Sequence, residues 1–227
     1  MTQQQGGPAG PRSLEQALVR WEARFSVGEY LFGERPNAYL ASKAALLARG
    51  SRALSIADGE GRNSVWLAEQ GLRVDAFDFS PTAVGKAKRL AASRGVRVDL
   101  NVSETFAWNW APSTYDLVAA IFIQFASPAE RERLFPLIKQ TLKPGGLLIL
   151  QGYRPEQLKY GTGGPPEADH LYTETMIRAA LKDMDILELR CYDEQVDEGK
   201  AHAGMSALMG VVARKRQRAA ASIGLRS

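Results

Sequence analysis

Cysteine is almost absent from this sequence. Cys191 is the only one in 227 residues, which excludes an internal disulfide. Its apolar neighbours suit a strand better than a reactive thiol, and nothing around it forms a metal-ligand cluster, so no metal is expected. Histidine is nearly as scarce, limited to His170 and His202. No stretch offers eighteen consecutive apolar residues, and the opening M-T-Q-Q-Q-G-G-P-A-G-P-R lacks an apolar leader core. A cytoplasmic location with no membrane partner is therefore expected. Internal repeats and interdomain linkers are also missing, and a chain of this length suits one α/β domain with a full apolar core.

The net charge of +4 invites a nucleic-acid reading, but its location argues against one. Five of the 29 basic residues fall in 214–227, where there is no acid, leaving 24 basic against 25 acidic residues elsewhere. A short basic terminus reads as a solvated, flexible tail. Residues 1–12, rich in Gln, Gly and Pro, are expected to be disordered, and 13–213 to form a single domain.

Within that domain, helical patterns at 13–25 and 37–49 precede the first core strand. Strands at about 52–57, 73–78, 97–102, 115–121 and 146–151 alternate with helices at 62–70, 81–94 and 128–141. This alternation requires a parallel sheet covered on both faces. Ser80-Pro81 and Ser127-Pro128 are helix starts, a capping residue followed by proline in the first turn. A Gly/Pro-rich loop (152–170), a helix at 173–182 and two β-like runs at 184–192 and 204–213 complete the chain, the last pair closing one edge as antiparallel strands. The fold class is thus α/β, a doubly wound, mostly parallel seven-stranded sheet with an antiparallel terminal strand.

The densest functional signal lies between Leu54 and Asp78, L-S-I-A-D-G-E-G-R-N-S-V-W-L-A-E-Q-G-L-R-V-D-A-F-D. It reads as strand, glycine turn, helix and a second strand ending in an acid. Gly59 and Gly61 let the turn take angles closed to other residues and let a ligand lie against it. The free N–H groups opening the next helix favour an electron-rich ligand group. Asp78 falls where a carboxylate accepts hydrogen bonds from both hydroxyls of a ribose. An adenosine-containing cofactor follows, although a bare G-x-G with a downstream acid also fits nicotinamide and flavin enzymes.

Two later features narrow the choice. Tyr115-Asp-Leu-Val-Ala-Ala-Ile121 is a buried strand followed by an aromatic-rich turn, and Leu142-Lys-Pro-Gly-Gly-Leu-Leu-Ile-Leu150 is a turn entering an apolar strand. In this order and spacing, over residues 50–152, the motifs resemble the class I S-adenosylmethionine-dependent methyltransferases. The segment Trp21 to Leu40, the run Y-G-T-G-G-P-P with H-L-Y-T behind it, and H-x-G-M-S-A-L-M-G-V-V-A-R-K look like the small-molecule, tellurite-resistance-like branch. The resemblance implies S-adenosylmethionine as cofactor and S-adenosylhomocysteine as product. It assigns cofactor contact to Ala57, Asp58, Gly59, Gly61 and Asn63 in the turn and helix start, and to Asp78, Phe79 and Ser80 after the second strand. Glu104 and Thr105 would border the adenine, Ile121 would lie at the end of the fourth strand, and Tyr30 would come from an N-terminal lid over 13–49. Two residues depart from the usual first motif: Ser55 stands where an acid is common and Ala57 where the first glycine is common.

The implied activity is methyl transfer to a small-molecule nucleophile, whether thiol, chalcogen oxyanion, phenol or amine. Too little sequence lies outside the core for a macromolecule-binding domain, and a monomer or homodimer is expected. Gln124, Tyr153, Tyr160 and His202 are the side chains placed to line the acceptor pocket. His202 matches a histidine of the tellurite-resistance-like branch and could act as a base, in which case the rate would rise through a pKa in the ordinary histidine range. Ala203 replaces the arginine usual next to it. Asp116 reads as a structural cap, and Trp108 with Trp110 as a hydrophobic plug. A nicotinamide-dependent oxidoreductase and a non-catalytic S-adenosylmethionine-binding protein are the alternatives.

Overall fold

The computed structural model describes residues 14–199 and 202–217. The strands β1 (Arg52–Ile56), β2 (Arg73–Asp78), β3 (Val98–Val102), β4 (Tyr115–Ile121), β5 (Leu142–Tyr153), β6 (Met184–Asp197) and β7 (Ala203–Lys215) form one sheet in the order β3-β2-β1-β4-β5-β7-β6. The first five are parallel, and β7 runs antiparallel to both neighbours. Side chains alternate across a strand, so near-continuous apolar strands need cover on both faces. Leu54, Val118, Ala120, Leu148 and Leu150 pack on one side with Leu134 and Ile138 of helix α5 (Pro128–Thr141). Ala53, Leu117, Ala119 and Ile149 pack on the other with Leu67 of α3 (Arg62–Glu69) and Leu40 of α2 (Ala38–Ala41). The strand order reverses between β1 and β4, which opens a crevice at their carboxyl ends.

Several boundaries differ from the sequence expectation for local reasons. The helix expected over 37–49 is only α2 followed by a 3₁₀ turn at Ala44–Leu46. The Ser42 hydroxyl donates to the Tyr39 carbonyl (2.6 Å), and Lys43 N–H closes on Leu40 O (3.0 Å), tightening the chain out of α-geometry. The loop expected at 152–170 contains the end of β5, a short helix α6 (Gln157–Tyr160) and a 3₁₀ turn at Ala168–His170. The helix expected at 173–182 is α7 (Glu174–Ala180). Strands β6 and β7 run further than expected because they pair with each other up to Asp197 and Ala203. Arg214 and Lys215 belong to β7 rather than to a flexible tail, and the Lys215 ammonium donates to the Gln140 and Leu142 carbonyls at the end of α5. Residues 1–13 and 218–227, which hold the remaining terminal expectations, lie outside the described residues. Asp116 is a structural cap, accepting from Lys143 and Arg52 N–H. Trp108 stacks on Phe77 at 4.8 Å, and Trp110 is buried. Cys191 lies exposed on β6.

Helix α1 (Leu14–Phe25) packs along α4 (Pro81–Ser93) and carries the chain across the crevice. Glu22 accepts from the Thr82 hydroxyl (2.5 Å) and from Ser80, and Phe25 is buried. Beyond α1, residues 29–32 are held by an ion pair between Lys86 and Glu60 (2.7 Å), whose side chains are 5% and 2% exposed. Glu60 also accepts from Leu31 N–H (2.6 Å), and the Lys86 ammonium donates to Glu29 O (2.6 Å). Removing one partner of such a pair strands a charge in a poorly solvated site, so Glu60→Ala is expected to cost about 3–5 kcal/mol. The double substitution Glu60→Leu/Lys86→Met should cost less than the single one. Urea denaturation checks both, and a more damaging double variant would show that the pair is not the anchor.

Candidate active site

The turn after β1 is built around a buried carboxylate. Asp58 accepts from the Ser55 hydroxyl (2.6 Å), from Ser64 N–H (3.2 Å) and from the Ser64 hydroxyl, tying β1 to the first turn of α3. Burial raises its pKa against the pull of these donors and of Arg62. The acid missing at Ser55 is thus supplied three residues later, and its side chain is committed to the fold. Gly59 and Gly61 both have positive φ, +61° and +93°. Their surroundings differ: a Cβ on Gly61 would stand 2.7 Å from that of Ala87, so the missing side chain at this glycine serves the close packing of α3 on α4. A Cβ on Gly59 would meet only the Phe25 ring, at 3.7 Å.

Asp78 ends β2 beside this turn. One carboxylate oxygen accepts from Gly59 N–H and the other from Ser80 N–H, each at 2.9 Å. It is 5% exposed, and burial pushes its pKa up to about 6 although both N–H groups pull it down. Each oxygen keeps a free lone pair. Ser80 caps α4 by accepting from Ala83 N–H (3.0 Å), and Phe79 beside it is half-buried. Glu104 is exposed. Its carbonyl accepts from Ala107 and Trp108 N–H, while Thr105 O accepts from the Trp110 indole (2.8 Å). Ile121 closes β4 at 8% exposure.

Past Ile121 the chain turns through Phe122, held at φ +55°. Its ring lies 4.5 Å from His202 and 4.7 Å from Tyr153, and Phe32 of the N-terminal segment covers His202 at 4.6 Å. The Tyr153 hydroxyl and His202 Nδ1 are buried without hydrogen-bond partners. Burial, assisted by Arg62, depresses the His202 pKa to about 3. With the crevice closed His202 is therefore neutral at physiological pH, its pKa below the ordinary histidine range in which the sequence reading would have it titrate.

Four other candidate residues are engaged by hydrogen bonds within the fold. Gln124 spends its amide on the backbone, donating to Tyr153 O (2.9 Å) and His170 O (3.2 Å) and accepting from Tyr153 N–H (2.5 Å), so it fixes the end of β5. Tyr160 is partly exposed and donates to Asp193 (2.8 Å) on β6. Tyr30 donates to Lys86 O (3.2 Å) and helps anchor the lid segment on α4. Asn63 accepts from Asn37 N–H (2.9 Å), which also makes it a tie to that segment.

What closes the crevice lay outside the sequence reading. Glu198, at the end of β6, pairs with Arg62 of α3 (2.8 Å) and accepts from Ala38 N–H (2.8 Å) and the Asn37 amide. Burial alone would raise the Glu198 pKa, but Arg62 and these donors bring it below the usual range. Asn37 also donates to Gln151 (2.6 Å), and Arg62 to Phe32 O (3.3 Å). Gly199 lets the hairpin backbone touch the lid backbone, since a Cβ there would stand 2.5 Å from Gly33 N. A Glu-x-x-x-His loop and an isolated Arg carry no motif, so only the fold reveals their meeting.

Residues 53–146 match a family model described as a methyltransferase domain. The chain carries a methyltransferase domain. It is 30% identical over 140 residues to an uncharacterized methyltransferase of Synechocystis, covering 59% of this chain and 60% of that protein. The chain spans between 48% and 60% of the length of the curated relatives it matches. TehB from Haemophilus influenzae shares the fold (TM-score 0.65, 16% identity, 79% of this chain and 62% of that one). So does the N-methyltransferase NodS from Bradyrhizobium japonicum, solved with S-adenosyl-L-homocysteine (TM-score 0.65, 14% identity, 87% and 97%).

Ala57, where this domain departs from the usual glycine, sits at φ +47°. Such a conformation costs an L-residue about 1–2 kcal/mol. Ala57→Gly should relieve it and raise stability by about 0.5–1 kcal/mol once the extra freedom of the unfolded chain is deducted. Guanidinium denaturation measures the change, and a loss of stability would show that Ala57 is unstrained.

Proposed function

We infer that the chain binds S-adenosylmethionine and transfers its methyl group to a small-molecule nucleophile. The observation that carries this reading is the matched domain over 53–146 with its glycine turn and Asp78 joined at the reversal of strand order. The residues fit the cofactor: Asp78 retains lone pairs for a ribose diol, and Gly59 has no side chain between the turn and its ligand. The bound cofactor supplies a methyl group activated by a positive sulfur. The protein's part is to orient the acceptor in line and exclude water, which the aromatic lid over Phe122 and His202 favours. Likeness to TehB supports the small-molecule branch, and the roofed crevice leaves little access for a macromolecule. A nicotinamide enzyme is disfavoured by the antiparallel β7 inserted between β5 and β6. Among the described residues no helix is long and apolar enough to cross a membrane.

Isothermal titration tests the cofactor: S-adenosylmethionine and S-adenosylhomocysteine should bind and NADH should not. Asp78 adds a pH signature. Its carboxyl titrates near 6 in the free protein, and donors from a ribose would stabilise the ionised form, lowering the pKa in the complex. Affinity for S-adenosylhomocysteine should therefore rise about tenfold between pH 5 and pH 7 and be nearly flat above. Asp78→Asn should abolish that dependence and weaken binding by about 1.5–3 kcal/mol. A wild-type affinity that is flat across this window would remove Asp78 from the cofactor.

His202 makes the opposite prediction for turnover. With its pKa near 3, the pH–rate profile should show no histidine limb between about 6 and 7. A limb there that disappears in His202→Ala would show that substrate binding returns the ring to its ordinary range.

A further inference from the structure

The walls around His202 are aromatic, and the polar atoms within them are unpaired. Phe32, Phe122 and Tyr153 surround the ring, with centroids between 4.5 and 5.9 Å away. A cavity of about 710 Å³ adjoins this cage and shares Phe32 and Phe122 with it. Tyr153, 2% exposed, has a hydroxyl without a partner, and so does His202 Nδ1. A phenol and a neutral imidazole left unpaired in a dry site each carry a desolvation cost that a ligand can remove.

We propose that the cage receives an uncharged aromatic acceptor bearing a hydroxyl group, seated between the Tyr153 hydroxyl and His202 Nδ1. This rests on the methyl-transfer reading above and names its substrate class. The two unpaired atoms call for a polar group on the ligand. Tyr153 offers a donor, and a neutral imidazole with its proton on Nε2 offers an acceptor at Nδ1. A hydroxyl satisfies both at once. An oxyanion, a thiolate or an ammonium could also bond both atoms, since the tyrosine hydroxyl donates or accepts and the neutral imidazole can carry its proton on either nitrogen, but each would bring a charge into the dry site.

The surrounding charges point the same way. Arg62 is committed to Glu198 and Phe32 O, while Asp197 pairs with Arg35 and Glu34 with Arg94. Arg24 lies against the rings of Trp21 (4.3 Å) and Phe32 (5.9 Å). Arg62, the buried cation beside the cage, is thus already paired, and an anionic acceptor would have to break that contact to gain it. Phe32 itself lies where an acceptor ring would stack, on a segment held to the fold by Glu60, so entry requires that segment to swing aside.

In the transfer, a lone pair of the acceptor oxygen forms the bond to the methyl carbon as the carbon–sulfur bond breaks and its electron pair stays on sulfur. As its oxygen is alkylated the hydroxyl proton becomes strongly acidic, so even the weakly basic His202 Nδ1 can take it, and it passes on to solvent when the lid opens. The sulfonium charge vanishes as the imidazolium forms beside Glu198, so the enclosed charge is unchanged.

The test is binding to the full chain saturated with S-adenosylhomocysteine, using 2-naphthol, tellurite and benzylammonium as probes. The expected result is that 2-naphthol binds at least tenfold more tightly than either ion. Tyr153→Phe, which removes only an unpaired oxygen and should fold, is expected to weaken naphthol roughly tenfold while leaving S-adenosylhomocysteine affinity unchanged. Tighter binding of tellurite or benzylammonium, or naphthol affinity indifferent to Tyr153→Phe, would overturn the proposal. A protein that binds S-adenosylhomocysteine but not naphthol defeats the cage and keeps the methyl-transfer reading. One that binds naphthol with the Tyr153 dependence but no S-adenosylhomocysteine does the reverse.

Discussion

A carboxylate taken out of water must find donors or a cation, and four of them gather at the carboxyl end of this sheet. Asp58 joins β1 to α3, Asp78 joins the glycine turn to the start of α4, Glu60 holds the lid segment to Lys86, and Glu198 ties the terminal hairpin to Arg62 and Asn37. Each acid is satisfied by atoms from a different part of the chain. Burying the acids and positioning the segments are therefore one event: loosening a segment would expose or strand its acid. The crevice is shaped less by apolar packing than by the requirement that each of these charges be paired.

Above the carboxylates the character of the site changes. Phe25, Phe32, Phe122 and Tyr153 form a continuous aromatic layer from the glycine turn to His202. The layer has a direct electrostatic effect, since it lowers the local dielectric and keeps His202 neutral, while Asp78 is pushed up only to about 6 because two backbone N–H groups still favour its charge. One half of the crevice can thus hold a negative charge next to a hydroxyl-rich ligand, and the other disfavours charge of either sign.

Much of this was legible in the sequence, for identifiable reasons. The strands of the parallel core are short, nearly continuous apolar runs separated from the helices by sharp punctuation, and Ser80-Pro81 and Ser127-Pro128 do cap their helices. Asp78 could be placed because its spacing from the glycine turn is fixed by one helix and one strand. Tyr153 and His202 also meet as read. Gln124, Tyr160 and Tyr30 could be assigned to the right end of the sheet but not to a role, because a polar side chain on a loop turns toward whichever backbone group needs it. Glu60, Arg62 and Glu198 were passed over since a charge in sequence reads as a solvated face. Only the fold brings Glu198 to Arg62, 136 positions earlier in the chain.

The two departures from the usual first motif have different physical weights. Ser55 costs nothing in charge, because Asp58 stands close enough for the serine hydroxyl to donate to it, and the acid is thereby moved along the turn rather than lost. Ala57 keeps a methyl group in a left-handed conformation, so its strain must be outweighed by the contacts that hold the turn. Those contacts include Asp58 N–H donating to Phe77 O (3.0 Å) and Gly59 N–H donating to Asp78, both from the turn to β2. The glycine turn is therefore held from the strand that ends in Asp78. Turn and acid are thereby fixed relative to each other in spite of the methyl group at Ala57, and the strain at that residue is carried by the same contacts that set their position.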